Sequence, residues 1–124
     1  MEKIDFLDFH DLLEIAHYLI PGVQVRDEGL LKSAALRPLT TVYGEDAYPS
    51  FEEKAGALMH SLARNHALID GNKRIAWAAT RAFCLMNNRD ISLSIDDAED
   101  LVLKTARGEY GVPELAKKLN IVKI

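Results

Sequence analysis

His66-Ala67-Leu68-Ile69-Asp70-Gly71-Asn72-Lys73-Arg74 is a polar interruption between two apolar-striped segments, and the architecture is read outward from it. Upstream, Phe51, Ala55, Leu58, Met59, Leu62 and Ala63 recur at helical spacing, and Ser50 with Glu53 forms a capping box ahead of them. Downstream, a helix from about Lys73 to Met86 buries Ile75, Ala79, Ala82, Phe83 and Met86. Further out, a first helix over roughly residues 7–20 carries Phe9, Leu12, Leu13, Ala16, Leu19 and Ile20, and Pro21-Gly22 ends it. Asp27 caps a short second helix with Leu30, Leu31, Ala34 and Ala35, closed by Arg37-Pro38. Ser94 caps a fifth helix, with Asp97 in its first turn and Gly108 as its stop, and Pro113 opens a last one containing Leu115, Ala116 and Leu119. Residues 38–50, with two prolines, Gly44 and paired threonines, read as a loop or a short hairpin around Tyr43 and Gly44. Ile91–Ile95 and Ile121–Ile124 alternate only weakly and are not assigned as strands. The expectation is an all-α fold: one compact domain over residues 1–124, a bundle of about six helices with a loop or hairpin flap.

Bulk properties narrow the function. A chain of 124 residues needs no disulfide or metal staple to bury a core. Its single cysteine, Cys84, lies in an apolar helical pattern and reads as a small buried hydrophobe. Neither a signal peptide nor a membrane-spanning run is present, so cytoplasm is the expected compartment and no membrane partner is expected. The net charge of −4 argues against direct nucleic-acid binding. Against that balance, Arg64, Lys73, Arg74 and Arg81 cluster mid-chain. A local basic pocket suits a compact anion such as a nucleotide phosphate, a solvated helix surface gives the same pattern, and charge alone leaves both open.

The polar residues of the central stretch narrow the choice. Gly71 admits backbone angles closed to other residues and lets a ligand approach closely. Asn72, Lys73 and Arg74 open a helix whose first amides lack internal partners and whose dipole favours anions, and the two cations strengthen that cradle. Asp70 beside bound phosphates needs an intervening divalent cation, which makes it a Mg²⁺ ligand. His66 is the side chain able to take a proton near neutral pH. Asp-Gly turns and Lys-Arg pairs are common singly. Together, a base, a metal ligand and a phosphate cradle are what attack of a hydroxyl on a nucleotide phosphate requires.

The stretch resembles the signature of the Fic/Doc family, His-x-Phe-x-(Asp/Glu)-Gly-Asn-x-Arg, and most closely its Doc (death-on-curing) branch, where Lys follows the Asn. Arg26-Asp27-Glu28-Gly29-Leu30-Leu31-Lys32-Ser33-Ala34, with Arg37-Pro38, is similar to a second Doc-type block. His17 falls where that branch carries a first-helix histidine, and Glu53-Lys54-Ala55 through His66 is similar to its motif helix. The resemblance implies that His66 deprotonates a protein hydroxyl, Asp70 holds Mg²⁺, and Gly71, Asn72, Lys73 and Arg74 bind nucleotide phosphates. It further implies a toxin that moves the terminal phosphate of ATP onto a translation factor, elongation factor Tu, and so blocks translation. Its implied restraint is a small antitoxin whose helix covers the active-site groove. The loop from Pro38 to Pro49 takes the place of the family's target-docking flap, where substrate backbone adds as a strand.

Three positions depart from the wider family. Leu68 replaces the motif Phe and anchors the loop with less area. Trp77 stands where AMP-transferring members carry a second arginine, which supports the Doc branch. The nearest approach to the inhibitory Ser/Thr-x-x-x-Glu-Gly/Asn helix is Thr41 to Glu45 followed by Asp46, inside the Gly-containing loop, and it reads as coincidence. Transfer of AMP to a protein hydroxyl, or a catalytically silent binding module of the same fold, are the alternatives.

Overall fold

The structure, a computed structural model, describes residues 3–124. Six helices form it: α1 (Phe9–Leu19), α2 (Glu28–Leu36), α3 (Phe51–Arg64), α4 (Asn72–Leu85), α5 (Ile95–Ala106) and α6 (Val112–Lys118). A single 3-10 turn, Arg37–Leu39, continues α2. Their starts follow from capping chemistry. Ser50 and Glu53 form the expected capping box on α3, while Asp27 and Ser94 accept from the amides of Leu30 and Asp97. Asp8 and Asp11 form a second capping box on α1, which places that helix start slightly later than apolar spacing alone does.

The centre of the bundle is α3. Ala55, Gly56 and Ala57 give it a slender waist, on which α6 lies so closely that a Cβ on Gly56 would sit 3.2 Å from both Leu115 Cβ and Val112 O. The stripe of Leu58, Met59 and Leu62 faces a core that Leu12, Leu31, Ile75, Phe83, Leu101 and Leu119 complete. Phe83 stacks on Phe51 at 4.8 Å and on Phe6 at 5.8 Å, while the Arg89 guanidinium lies 4.2 Å from the Phe51 ring centre. Cys84 is fully buried, and that burial pushes its thiol up to about 12, so it packs as the hydrophobe the sequence suggested. No helix among the described residues is long and apolar enough to cross a membrane.

Two small antiparallel sheets decorate the bundle. In the first, β1 (Thr41–Val42) pairs with β2 (Glu45–Asp46) around Tyr43 and Gly44, both at positive φ as a two-residue hairpin turn of this twist requires. Thr41 to Asp46 is therefore a hairpin and not an inhibitory helix. In the second, β3 (Arg89–Ile91) pairs with β4 (Ile121–Lys123), a pairing that the weak alternation of these segments did not disclose.

The hairpin is tied to α3. Lys54, only 5% exposed, ion-pairs with Asp46 at 3.1 Å and donates to the carbonyl of Tyr48. Arg37 reaches Tyr48 Oη at 3.0 Å, His60 Nδ1 at 2.7 Å and Ser61 Oγ at 3.1 Å. Burial, then the charges of Arg37 and Arg64, hold His60 below the ordinary histidine range, and because a guanidinium can only donate, Nδ1 accepts from Arg37. These ties fix the base of the flap.

Candidate active site

Between α3 and α4, residues 65–71 form a loop whose shape comes from four anchors. Leu68, 1% exposed, is sunk in the core and forms an isolated bridge with Val25, so leucine does the anchoring at this position. The carbonyl of Ala67 accepts from the amides of Arg26 at 2.8 Å and Asp27 at 3.0 Å, and the amide of Ile69 donates to Gln24 O at 3.0 Å. The Asn72 side chain closes back on Leu68, accepting from its amide at 3.0 Å and donating to its carbonyl at 2.9 Å. Gly71, at φ +91, makes the final turn into α4, directly above Ile20 at the end of α1.

This loop leaves the N-terminus of α4 free. α1, α2, α3 and α5 each begin with a side chain bonded to a first-turn amide, whereas α4 begins at Gly71 without one. Its leading amides have no partner further back in the helix and its dipole presents partial positive charge, which Lys73 and Arg74, both exposed, reinforce. Asp70 is also exposed, with one oxygen accepting from the Gly71 amide at 2.9 Å. His66 is exposed and sits at φ +52, a left-handed angle that ends α3's course and costs a non-glycine residue about 1–2 kcal/mol.

A cleft of about 280 Å³ brings together six residues of the central stretch: His66, Asp70, Gly71, Asn72, Lys73 and Arg74. Next to it runs a larger groove of about 750 Å³ between α4, α5 and the end of α1. Its apolar wall includes Trp77, Leu93, Ile95, Val102 and Leu103, and Lys73 and Arg74 border both cavities. The cleft suits a small charged group, the groove a larger amphipathic body.

The Fic/DOC family model matches residues 5–84, a span that runs from before α1 through the cleft to the end of α4. The chain belongs to the Fic/DOC family. It is similar to the protein named Toxin Doc from Mycolicibacterium smegmatis, at 45% identity over 118 residues that span 93% of this chain and 91% of that one. This likeness puts it on the Doc branch. The all-α bundle, the hairpin and the loop between α3 and α4 are thus the Fic/DOC fold as this chain builds it.

Within that fold, the basic cluster read from sequence divides in two. Lys73 and Arg74 line the cleft. Arg81 lines the groove, but it holds Asp90 through Nε–Oδ1 at 3.0 Å and Nη2–Oδ2 at 3.2 Å, and that hydrogen-bonded pairing pushes the Asp90 carboxyl below the usual carboxylate range. Arg64 turns to the carbonyl of Ala106 at 2.9 Å. Asn72 lies in the cleft with its side chain engaged by Leu68, which leaves its backbone amide as the group it can offer an anion. Sequence reasoning missed one contributor. Arg26, quoted only as part of a motif, reaches across to the loop carrying His66, and no local pattern signals a contact 40 residues away.

A single carboxylate suits Mg²⁺, which prefers one or two protein oxygens together with water and phosphate oxygens. Asp70 has that character, with one oxygen on Gly71 and the side chain open to the cleft. Among the described residues no group of three or more His, Cys, Asp or Glu could hold a metal unaided.

Proposed function

We propose that this chain is the toxin of a toxin–antitoxin pair, moving the terminal phosphate of ATP onto a hydroxyl of a translation factor and so blocking translation. The single observation that carries the reading is the uncapped, doubly cationic start of α4 beside His66 and Asp70 in one cleft. Lys73 and Trp77, in place of the glycine and second arginine of AMP-transferring members, favour terminal-phosphate transfer. By resemblance to the Doc branch the target is elongation factor Tu. The hairpin edge at Thr41–Val42 offers backbone groups with which an extended target segment pairs.

In this mechanism Gly71 gives the phosphates close access, and the amides of Asn72, Lys73 and Arg74 with the two cationic side chains hold them. His66 takes the proton of the target hydroxyl as its oxygen bonds to the γ-phosphorus. The bond from that phosphorus to the β–γ bridging oxygen breaks, and ADP departs. Asp70 would hold Mg²⁺, which when bound would neutralise phosphate charge.

The test incubates the protein with Mg²⁺, a translation extract and ATP labelled at the α or the γ phosphate. Label from γ on one protein, identified by its mass, is the expected result. Label from α makes the chain an AMP transferase, and label from neither overturns the enzymatic reading in favour of a silent binding module.

The groove is where the antitoxin helix binds in this reading. Its apolar wall fits one face of an amphipathic helix, and the Lys73 and Arg74 border favours acidic residues at the end nearest the cleft. Trp77 is the chain's only tryptophan, so its fluorescence reports on that wall. Titration with the antitoxin is expected to shift Trp77 emission and to stop label transfer at one equivalent. Inhibition with Trp77 unmoved would put the antitoxin elsewhere.

A further inference from the structure

We propose that Arg26 is a positioning residue that sets the direction of the His66 side chain, an inference that rests on His66 being the proton acceptor. Its guanidinium donates from Nε to the carbonyl of His66 at 2.7 Å and from Nη2 to the carbonyl of Asn65 at 3.3 Å. Those two carbonyls belong to the two peptide planes that flank the His66 Cα. Rotation of one plane is φ of His66 and rotation of the other is ψ, so one rigid fork holds both angles together. The angles need holding, because His66 at φ +52 is in a region a side-chain-bearing residue enters only under constraint.

The surroundings agree with this role. Among the described residues the Arg26 guanidinium has no carboxylate partner, so its hydrogen bonds go to the loop and not to an ion pair. Its own amide and that of Asp27 hold the next carbonyl, Ala67 O, and Asn65 Nδ2 reaches Leu30 O at 3.0 Å. The chain ahead of α2 is thereby stitched to the end of α3, with the guanidinium on the two carbonyls that flank the His66 Cα. The direction of Cα–Cβ at His66 follows from these planes, and an error of about 1 Å in a reacting group can cost about 10²-fold in rate.

The test compares Arg26→Lys, which keeps the charge and loses the fork, with Asp27→Ala, which loosens the α2 cap and leaves Arg26 intact. NMR of the unliganded protein follows the His66 ring signals and the amide exchange of residues 65–69, with His10, His17 and His60 as internal references. Arg26→Lys is expected to move the His66 ring signals toward free-histidine values and to speed exchange there, with the references unmoved. Turnover is expected to fall about 10–100-fold with KM for ATP within about two-fold. Unchanged His66 signals in Arg26→Lys, or an equal change in Asp27→Ala, would overturn the proposal. The NMR arm uses neither nucleotide nor target, so a failure of the transferase reading shows separately, as absent turnover in the parent.

Discussion

His66→Asn is expected to cut label transfer by about 10²–10⁴-fold, the usual contribution of a general base, while folding stability stays at or slightly above the parent's. The two halves of this result have separate physical origins. The rate falls because amide nitrogen and oxygen cannot take up the hydroxyl proton near neutral pH. Stability holds because the imidazole is exposed and fills no core space. The backbone at position 66 is left-handed, and asparagine tolerates that region better than histidine does. His66→Gly is expected to behave alike in rate. Nucleotide affinity is expected within about two-fold of the parent, since the phosphate groups are held from α4. Label transfer with purified target, thermal unfolding and nucleotide titration check all three. A variant that keeps more than about a tenth of parental turnover would remove His66 from the role of base.

The largest loss of stability is expected from Gly71→Ala. An alanine there must adopt φ +91, and its Cβ would overlap the Ile20 side chain, coming within 3.0 Å of Cγ1. Left-handed strain of about 1–2 kcal/mol and overpacking of about 1–3 kcal/mol together give roughly 2–5 kcal/mol, a large part of a domain's usual 5–15 kcal/mol. For a chain of this size Tm falls by roughly 10 °C. The same change is expected to displace the turn, and in the proposed reading it weakens nucleotide binding along with stability. Ile20→Ala supplies the control. It is costly alone, but combined with Gly71→Ala it removes the overlap, and the double variant should be less damaged than the sum of the singles by about 1–2 kcal/mol. Strict additivity would mean that Ile20 does not constrain the turn.

Legibility in the sequence followed the range of the interaction. Ser50 with Glu53, Asp27 and Ser94 act on amides three residues away, and their helix starts were read directly. The apolar stripe of α3 was likewise legible, as was the Tyr43-Gly44 turn, because each is fixed by neighbours in the chain. β3 and β4 were not, since Arg89 finds Lys123 across the whole of α5 and α6. Arg81 was grouped with Lys73 and Arg74 by spacing, which cannot show that Asp90 folds back to meet it. The polar residues of the cleft all come from one contiguous stretch, His66 to Arg74, which is why the candidate site was readable at all. How its loop is held was not, because Arg26 and Val25 precede α2, the hairpin and α3 in sequence.

Lys73 and Arg74 stand on the border of both cavities, so neither cavity has a private electrostatic environment. An anion in the cleft and an acidic group in the groove draw on the same two positive charges, and each lowers what remains for the other. Thermodynamic linkage makes that penalty reciprocal: whatever factor a groove occupant takes from nucleotide affinity, nucleotide takes from the affinity of that occupant. If nucleotide occupies the cleft and the antitoxin the groove, as proposed, release from the groove would be graded by the concentration of free nucleotide, with no moving part beyond two shared side chains.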